Sequence, residues 1–220
     1  AMRPPSANDF ESQILNRVET IAPEAWECLG GSLPFQSWQW YAFGEKVMAD
    51  CPFFPIMVHQ ADRPVARAAF WLVREEPLPL PGTLRAILRP VLRRRPLLIC
   101  RSPLANISGL ILPAGPERAA VLERLLSSAL AVAREHACSF VLFDFVEAAE
   151  LERPWPAGLR TASVAEPGTW MPFRWDSLEA YLADGNKDDR QHYKRSLRKA
   201  AELGIRVQRR PRVQNPEEAL

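Results

Sequence analysis

Apolar residues recur at intervals of three or four along roughly the first fifty positions, which is the spacing of a helix with one buried face. The pattern predicts three helices, over residues 8–21, 23–31 and 34–51. An alternation of apolar and polar residues follows, and it predicts two strands, over residues 54–60 and 64–75. The three residues between these strands are Ala-Asp-Arg, so the two strands are expected to form a hairpin.

The second half of the chain contains the clearest helical pattern, over residues 115–137. Its apolar positions fall on one face: Val121, Leu122, Leu125, Ala129, Val132 and Ala133. A strand is predicted on each side of this helix, over 106–112 and 138–145, and the second is an unbroken apolar run typical of a buried strand. Further along, the pattern predicts helices over 177–184 and 188–203, and short strands over 159–164, 169–175 and 205–210. This order predicts a mixed α/β (α+β) sheet flanked by helices.

An arginine-rich stretch, residues 78–96, interrupts the strands. Arg85, Arg89 and Arg93 are spaced four apart, and Pro90 is expected to kink or split a helix there. Three interpretations of Arg85–Arg95 remain open. The stretch is a face toward anionic lipid, a contact for tRNA, or a surface insertion, which is the interpretation that we favour.

Composition narrows the class of protein. Of the 220 residues, 47% are hydrophobic and 25% are charged, as in folded globular proteins, and a net charge of +2 does not by itself predict a nucleic-acid binder. The four cysteines and three histidines lack the spacing of a zinc site or a disulfide framework, so no metal site is predicted. The first residues lack a signal-peptide pattern and no apolar run is long enough to span a membrane, so a cytoplasmic protein is expected.

Residues 107–145, a strand, a short loop, a long helix and a second strand, resemble the central part of the GNAT acyltransferase fold. In that family the loop carries glycines whose backbone N–H groups, with the helix N-terminus, hold the pyrophosphate of acyl-CoA. Here the loop is PAGPERA, in which Pro116 lacks an N–H and only Gly115 permits close approach. The resemblance therefore implies a GNAT-like domain that has lost its cofactor site.

Two shorter stretches narrow the resemblance. PFQSWQWYAFGEKV (34–47) and RSLRKAAELGIRV (195–207) look like signatures of the FemABX family. Members of that family are tandem GNAT-fold transferases that add amino acids from aminoacyl-tRNA to peptidoglycan precursors, and looser relatives use acyl-CoA. The resemblance implies that this chain is the acceptor-binding half of an N-acyltransferase or aminoacyltransferase and binds no cofactor itself. The full-length protein would use acyl-CoA or aminoacyl-tRNA.

The resemblance also implies a division of the chain. Residues 1–32 would be an N-terminal helical segment, 33–184 a GNAT-like domain, and 185–220 a basic helix and strand leading into a second GNAT-like domain. An enzyme acting on a cell-envelope precursor would lie in the cytoplasm, either free or at the inner face of the membrane.

The predicted substrate-binding residues fall in two stretches. Arg190, Lys194 and Arg198 are spaced four apart on one helix, and they form, with Lys199, a basic ridge suited to a phosphate or diphosphate. The alternative is a solvated helix whose cations complement the dipole before the stop at Gly204. If the ridge is a site, its cationic groups should lie in or beside a concave surface rather than point into open solvent. Tyr193 and Leu197 should then be buried against the sheet and fix the direction of the ridge.

In the other stretch, Gln36 and Trp40 are candidate substrate contacts, whereas Phe35 and Trp38 are expected to be buried. The family often has a basic residue where Gly44 lies, with Lys46 nearby as the remaining candidate.

The sequence identifies no catalytic residue, but it offers one candidate. Asp144, at the end of a predicted strand, is a candidate general base. The same residues also fit a helix N-cap at Asp144 with Glu147 three positions on, and we favour capping. The alternative function is a non-catalytic module that uses the basic ridge to bind RNA or anionic lipid.

Overall fold

The computed structural model describes residues 6–30, 33–75, 82–162 and 174–206, and for residues 82, 84, 85, 87 and 88 it describes the backbone only. The chain folds into two compact units, Ala1–Ala165 and Glu166–Leu220. The first unit therefore includes the N-terminal 32 residues, and the second begins before residue 185. No helix among the described residues is long and apolar enough to cross a membrane.

Within the described part of the first unit, six strands form one mixed sheet: β1 (Glu11–Ile14), β2 (Phe53–Gln60), β3 (Arg63–Val73), β4 (Leu97–Cys100), β5 (Leu110–Ile111) and β6 (Phe140–Phe143). Their order is β1-β2-β3-β4-β6, and β5 pairs with β3 beyond the end of β4. Neighbouring strands are antiparallel except for β4 and β6, which are parallel. With its flanking helices, this sheet is the mixed α/β arrangement that the sequence predicts.

The prediction of a helix over residues 8–21 is wrong. Residues 11–14 form β1, which pairs with residues 56–59 of β2, and short 3-10 turns lie on either side, at Ala7–Asp9 and Val18–Thr20. Phe10, Val18 and Ile21 are buried, as a helical face would require, but Phe10 ends the first 3-10 turn whereas Val18 and Ile21 belong to the second, beyond β1. Three apolar residues at helical spacing do not distinguish a helix from a chain that crosses the core several times.

The β2–β3 hairpin is confirmed. Ala61 and Asp62 have φ values of 46° and 66°, the left-handed conformation that a two-residue hairpin turn requires. Along β3, alternate residues face opposite sides of the sheet. Ala66, Ala68 and Phe70 face one core, and Ala69, Trp71 and Val73 face the other.

Helix α4 (Arg118–Glu135) covers the first of these sheet faces. Its predicted apolar residues are all buried, and most of them pack with Phe10, Ile56 and Phe70. The other face is covered by α1 (Pro23–Glu27) and α2 (Trp38–Val47), which begin close to the positions that the sequence predicts. Ser37 caps α2 by accepting a hydrogen bond from the Trp40 N–H at 3.3 Å.

The arginine-rich stretch forms α3 (Gly82–Arg94), and this helix continues through Pro90 without a break. Leu92 is buried against the second core. After α3 and Pro96, the residues Leu97–Cys100 form β4. This strand was not predicted from the sequence. Every residue of β4 is buried.

Strand β6 was predicted correctly as a strand but wrongly as a buried one. Phe140 is 65% exposed and Leu142 38% exposed, while Val141 and Phe143 are half-buried. The strand parallel to β6 is β4 rather than the segment just before α4, of which only Leu110–Ile111 is extended. A short helix, α5 (Ala148–Leu151), follows β6.

The described part of the second unit contains two helices, α6 (Leu178–Asp184) and α7 (Lys187–Glu202), both close to the predicted bounds. Helix α7 ends at Glu202 with Leu203 as its C-cap, and Gly204 follows with φ of 65°, which confirms the predicted glycine stop. Of the predicted strand over 159–164, residues 159–162 are described and form no strand, so that prediction is wrong there. The predicted strands over 169–175 and 205–210 lie largely outside the described residues.

Candidate functional site

Four basic side chains in the central and C-terminal part of α7 point into solvent. Arg195, Lys194, Arg198 and Lys199 are all exposed, and none makes a hydrogen bond or ion pair with another described residue. The helix contains six Lys or Arg residues and three Asp or Glu residues, the acids lying only in its first and last turns. Its central and C-terminal part is therefore an uncompensated positive surface. Arg195 belongs to this surface and Arg190 does not, so from here the basic ridge means Lys194, Arg195, Arg198 and Lys199.

Arg190, which lies four residues before Lys194 on α7, has a different role. Its Nη1 donates to the carbonyl oxygens of Gly185 at 2.5 Å, Ala183 at 3.3 Å and Leu182 at 3.4 Å. These carbonyls lie at the C-terminal end of α6, where they lack partners within the helix. Arg190 thus joins α6 to α7, and only its remaining guanidinium nitrogens are left for a ligand.

The prediction that Leu197 is buried beneath the ridge is wrong, because its side chain is 53% exposed; Tyr193 is half-buried. The direction of the ridge is set instead at the start of α7. There Asn186 accepts a hydrogen bond from the Asp189 N–H at 2.8 Å, and Arg190 holds the preceding turn.

In the first unit, the predicted contact Gln36 lies inside the protein, 9% exposed. Its carbonyl oxygen accepts hydrogen bonds from Trp26 Nε1 at 3.0 Å and from Arg67 Nη2 at 2.8 Å. Its side-chain Nε2 donates to the Ser108 carbonyl at 3.4 Å. Gln36 therefore anchors the 34–36 turn to β3 and to the loop that precedes β5.

Arg67, a residue that the sequence analysis did not single out, is the centre of this network. It is 1% exposed, and its guanidinium carbon lies 4.0 Å from the Trp26 ring centre and 5.6 Å from that of Tyr41. Burial lowers the pKa of Arg67, and burial raises the pKa of Tyr41 to about 12. The only signal in the sequence is an arginine at an inward position of an otherwise apolar strand.

Trp40, the other predicted contact in this stretch, is half-buried, and its Nε1 donates to the Pro103 carbonyl at 2.8 Å. Its ring packs edge-to-face on Phe35, with centroids 5.0 Å apart, and lies 5.4 Å from Phe43. Phe35 is 41% exposed, so the prediction that it is buried is wrong. Trp38 is half-buried and donates to the carbonyls of Val18 and Ile21.

Gly44 stands where the family resemblance implies a basic residue, and this position has no room for a side chain. A Cβ on Gly44 would overlap the ring of Pro103, and Gly44 is buried. Lys46 is exposed near the C-terminal end of α2.

Asp144 lies at the carboxyl end of β6, beside the end of β4. Its carboxylate lies 3.6 Å from Arg101 Nη1 and accepts a hydrogen bond from the Phe145 N–H at 3.0 Å. The N-cap prediction for Asp144 is wrong, because the residue at the N-cap of α5 is Glu147. Asp144 is one partner of an ion pair at the carboxyl ends of two parallel strands, an edge of the sheet at which α/β proteins commonly bind ligands.

The loop before α4, which in the GNAT family would hold pyrophosphate, is closed by an acid. A Cβ built on Gly115 would overlap the carboxylate of Glu117, the residue at the N-cap of α4. Arg118 turns away from this end, since it pairs with Glu150 at 2.9 Å and donates to the Pro154 carbonyl at 3.0 Å. A negative group at the helix N-terminus opposes the binding of a second anion there.

The arginine-rich helix α3 is partly neutralised. Arg89 and Arg93 both pair with Glu75, and these bonds lower the pKa of that carboxyl. Arg94 and Arg95 are exposed. The side chain of Arg85 is outside the described residues.

The predicted contacts form two groups. Gln36, Trp40 and Lys46 lie within residues 34–47 of the first unit, and Arg190, Lys194, Arg198 and Lys199 share α7 in the second. Within the described residues, no three His, Cys, Asp or Glu side chains are arranged to hold a metal ion. Comparison with protein-family models, curated proteins and solved structures finds no match to this chain.

Proposed function

We propose that this chain is the acceptor-binding half of a Fem-like N-acyltransferase or aminoacyltransferase, and that the basic ridge of α7 binds the phosphate of an anionic acceptor. One observation carries the proposal: Lys194, Arg195, Arg198 and Lys199 are exposed on one helix and have no partner among the described residues. Four cations without acids between them repel one another, and a bound phosphate removes that repulsion.

The residue types suit a phosphorylated ligand. Arginine can hold two phosphate oxygens at once through its planar guanidinium, and lysine supplies a compact charge. Lys194 and Arg198 lie one turn apart, about 6 Å along the helix axis, which matches the span of a diphosphate. Arg190 supports them by joining α7 to α6 through the Gly185 carbonyl.

The proposed reaction is formation of an amide. The acceptor amine attacks the carbonyl carbon of an activated acyl or aminoacyl group, a C–N bond forms, and the bond to the thiol or hydroxyl leaving group breaks. The amine proton passes to a general base. The acyl donor would be held elsewhere in the full-length protein, because Glu117 lies against Gly115 in the loop before α4. The cytoplasm is the compartment that we propose for this reaction.

Isothermal titration calorimetry with a uridine-diphosphate sugar tests the proposal. We expect saturable binding at low salt that falls at least tenfold in Arg198→Ala and in Lys194→Ala. Arg134→Ala is the matched control, because it removes one exposed cation from α4 in the other unit. Equal affinities in all four proteins, or no binding to the wild type, would contradict the proposal.

The absence of acids between Lys194 and Lys199 also favours a second candidate, a module that binds RNA or anionic lipid. Binding to a single-stranded RNA would then weaken with salt, with a slope of roughly −2 to −3 in log affinity against log salt for three or four phosphate contacts. Binding of a polyanion with this slope, and no saturable binding of the diphosphate sugar, would favour the module over the enzyme.

A further inference from the structure

The second unit contains a cavity of about 90 Å³, lined by Trp175, Tyr181, Leu182, Asp184, Gly185 and Asp189. A single water molecule needs roughly 10–15 Å³ by the same kind of measure, so there is room for a small ligand group. The two rings meet edge-to-face, with centroids 5.0 Å apart and planes at 78°. They form a corner rather than a flat stack, and this corner lies between α6 and the start of α7.

The lining has the chemistry of a site for a cation. Two aromatic residues and two aspartates are among the six described residues that line the cavity, and none of the six is Lys or Arg. Arg190 lies beside it and is engaged by the Gly185 carbonyl. Asp184 is held in place, because its Oδ2 accepts a hydrogen bond from Trp175 Nε1 at 3.0 Å. Aromatic faces attract ammonium groups through the ring quadrupole, and an adjacent carboxylate accepts their N–H bonds. This acidic, aromatic corner is opposite in character to the basic ridge that begins further along α7.

A cation from the chain itself already contacts the same groups. The guanidinium carbon of Arg174 lies 5.1 Å from the Trp175 ring centre, and its Nη2 lies 3.0 Å from Asp184 Oδ2. The Arg174 side chain is 71% exposed, so little else holds it there. The ring and the carboxylate thus bind a positive group in a place where a ligand can compete for them.

We propose that this cavity binds a primary ammonium group and, resting on the function proposed above, that this group is the amine of the acceptor. Lys194 is five residues beyond Asp189, about 7.5 Å along the axis of α7. An acceptor that carries both an amine and a phosphate could therefore use the cavity and the basic ridge together.

The test is an NMR titration of the full chain with butylammonium chloride, observed at the indole N–H of Trp175. Trp175→Phe identifies that signal, and butanol serves as the neutral control of the same carbon skeleton. We expect a saturable shift with butylammonium in the millimolar range and at least fivefold weaker binding in Asp184→Asn. An equal response to butanol, or no response to butylammonium, would overturn the proposal.

Arg174→Gln gives the sharpest arm, because it removes the competing guanidinium and leaves the lining intact. Butylammonium should bind this variant about two- to fivefold more tightly than the wild type; unchanged or weaker binding would overturn the proposal. Circular dichroism checks that the helices remain in each variant. Lys194→Ala should leave butylammonium binding unchanged while reducing binding of the diphosphate sugar. A wild-type protein that binds butylammonium but not the diphosphate sugar would therefore contradict the proposed function alone, and one that binds the sugar but not butylammonium would contradict the cavity proposal alone.

Discussion

The guanidinium carbon of Arg67 lies 4.0 Å from the centre of the Trp26 ring, and both side chains are almost wholly buried. No carboxylate hydrogen-bonds this arginine within the described residues, and its Nε and Nη1 have no hydrogen-bond partner there. The faces of Trp26 and Tyr41 and the Gln36 carbonyl are what stabilise the charge. Arg67 thus anchors the 34–36 turn, although the loss of hydration of its buried charge costs considerable free energy.

Arg67→Met should therefore be tolerated better than Arg67→Ala. Methionine keeps apolar contact with the two rings and removes the buried charge, so the free energy of unfolding should stay within about 1 kcal/mol of the wild type. Alanine leaves a cavity and should cost roughly 2–5 kcal/mol. Urea denaturation measures both, and equal losses would show that the hydrogen bond to Gln36, rather than packing, is the main contribution.

Alkaline pH should destabilise the fold through two buried acids. Burial raises the pKa of Tyr41 from 10.0 to about 12 and that of the Cys100 thiol from 9.0 to about 12. Above pH 9 the unfolded chain loses these protons first, so it binds fewer protons than the folded chain and the free energy of unfolding falls as pH rises toward 12. One such group contributes a slope of about 1.4 kcal/mol per pH unit.

Urea denaturation at several pH values tests this dependence. Tyr41→Phe should remove the part of the slope that begins near pH 10, and Cys100→Ala the part that begins near pH 9. If the wild type and both variants gave parallel curves between pH 9 and 12, neither group would control the alkaline stability.

Gly44→Ala should destabilise the protein, although alanine is the better helix former by about 1 kcal/mol. The added methyl group would overlap the Pro103 ring, and overpacking of this kind costs roughly 1–3 kcal/mol. Thermal unfolding is the measurement, with Gln39→Ala, at an exposed position of the same helix, as the control. A higher melting temperature for Gly44→Ala would show that the 101–109 loop can move away.

Substitutions along α7 should separate binding from stability. Lys194→Ala and Arg198→Ala remove exposed charges and should change the free energy of unfolding by about 0–1 kcal/mol. Leu197→Ala should stay within about 0.5 kcal/mol, because its side chain is 53% exposed. Urea denaturation of the three variants checks this, and a loss of 2 kcal/mol or more at Leu197 would mean that this side chain is covered in solution.

Calorimetry with acetyl-CoA should show little binding to this chain. The Glu117 carboxylate lies against Gly115, and Pro116 has no N–H to offer a phosphate. Glu117→Gln is the informative variant, since it removes the negative charge without changing the shape of the side chain. Nanomolar binding to the wild type would show that the loop still holds the pyrophosphate of acyl-CoA.

The sequence predicts the elements whose pattern is long or sharply bounded. Helix α4 has eighteen residues with one apolar face, and the β2–β3 hairpin has a two-residue turn, so local spacing determines both. Strands β1 and β4 have four residues each, too few for any period to be recognised. The extended conformation of β1 depends on pairing with β2, about forty residues further along the chain. That of β4 depends on pairing with β3 on one side and with β6 on the other.

The candidate site residues divide in the same way, into features that depend on local sequence and features that depend on the fold. The position of the ridge on α7 could be predicted, because charge spacing on a helix is a local property. Its exposure fits the solvated helix that the sequence left open, and not the concave surface that was expected of a site. The roles of Arg190 and Gln36 could not, because they depend on which carbonyls and side chains the fold brings near them. The Trp175–Tyr181 cavity was missed because Trp175 lies in a predicted strand and Tyr181 in a predicted helix, and only the fold makes them neighbours.

The parallel pairing of β4 with β6 has a consequence for how the chain is made. Strand β4 emerges from the ribosome about forty residues before β6, since the whole of α4 lies between them. At about 5–20 residues per second, the apolar Leu97–Cys100 segment has no partner on that side for roughly 2–8 s. During this interval the nascent chain has an open strand edge, at which incorrect pairing with another chain is possible.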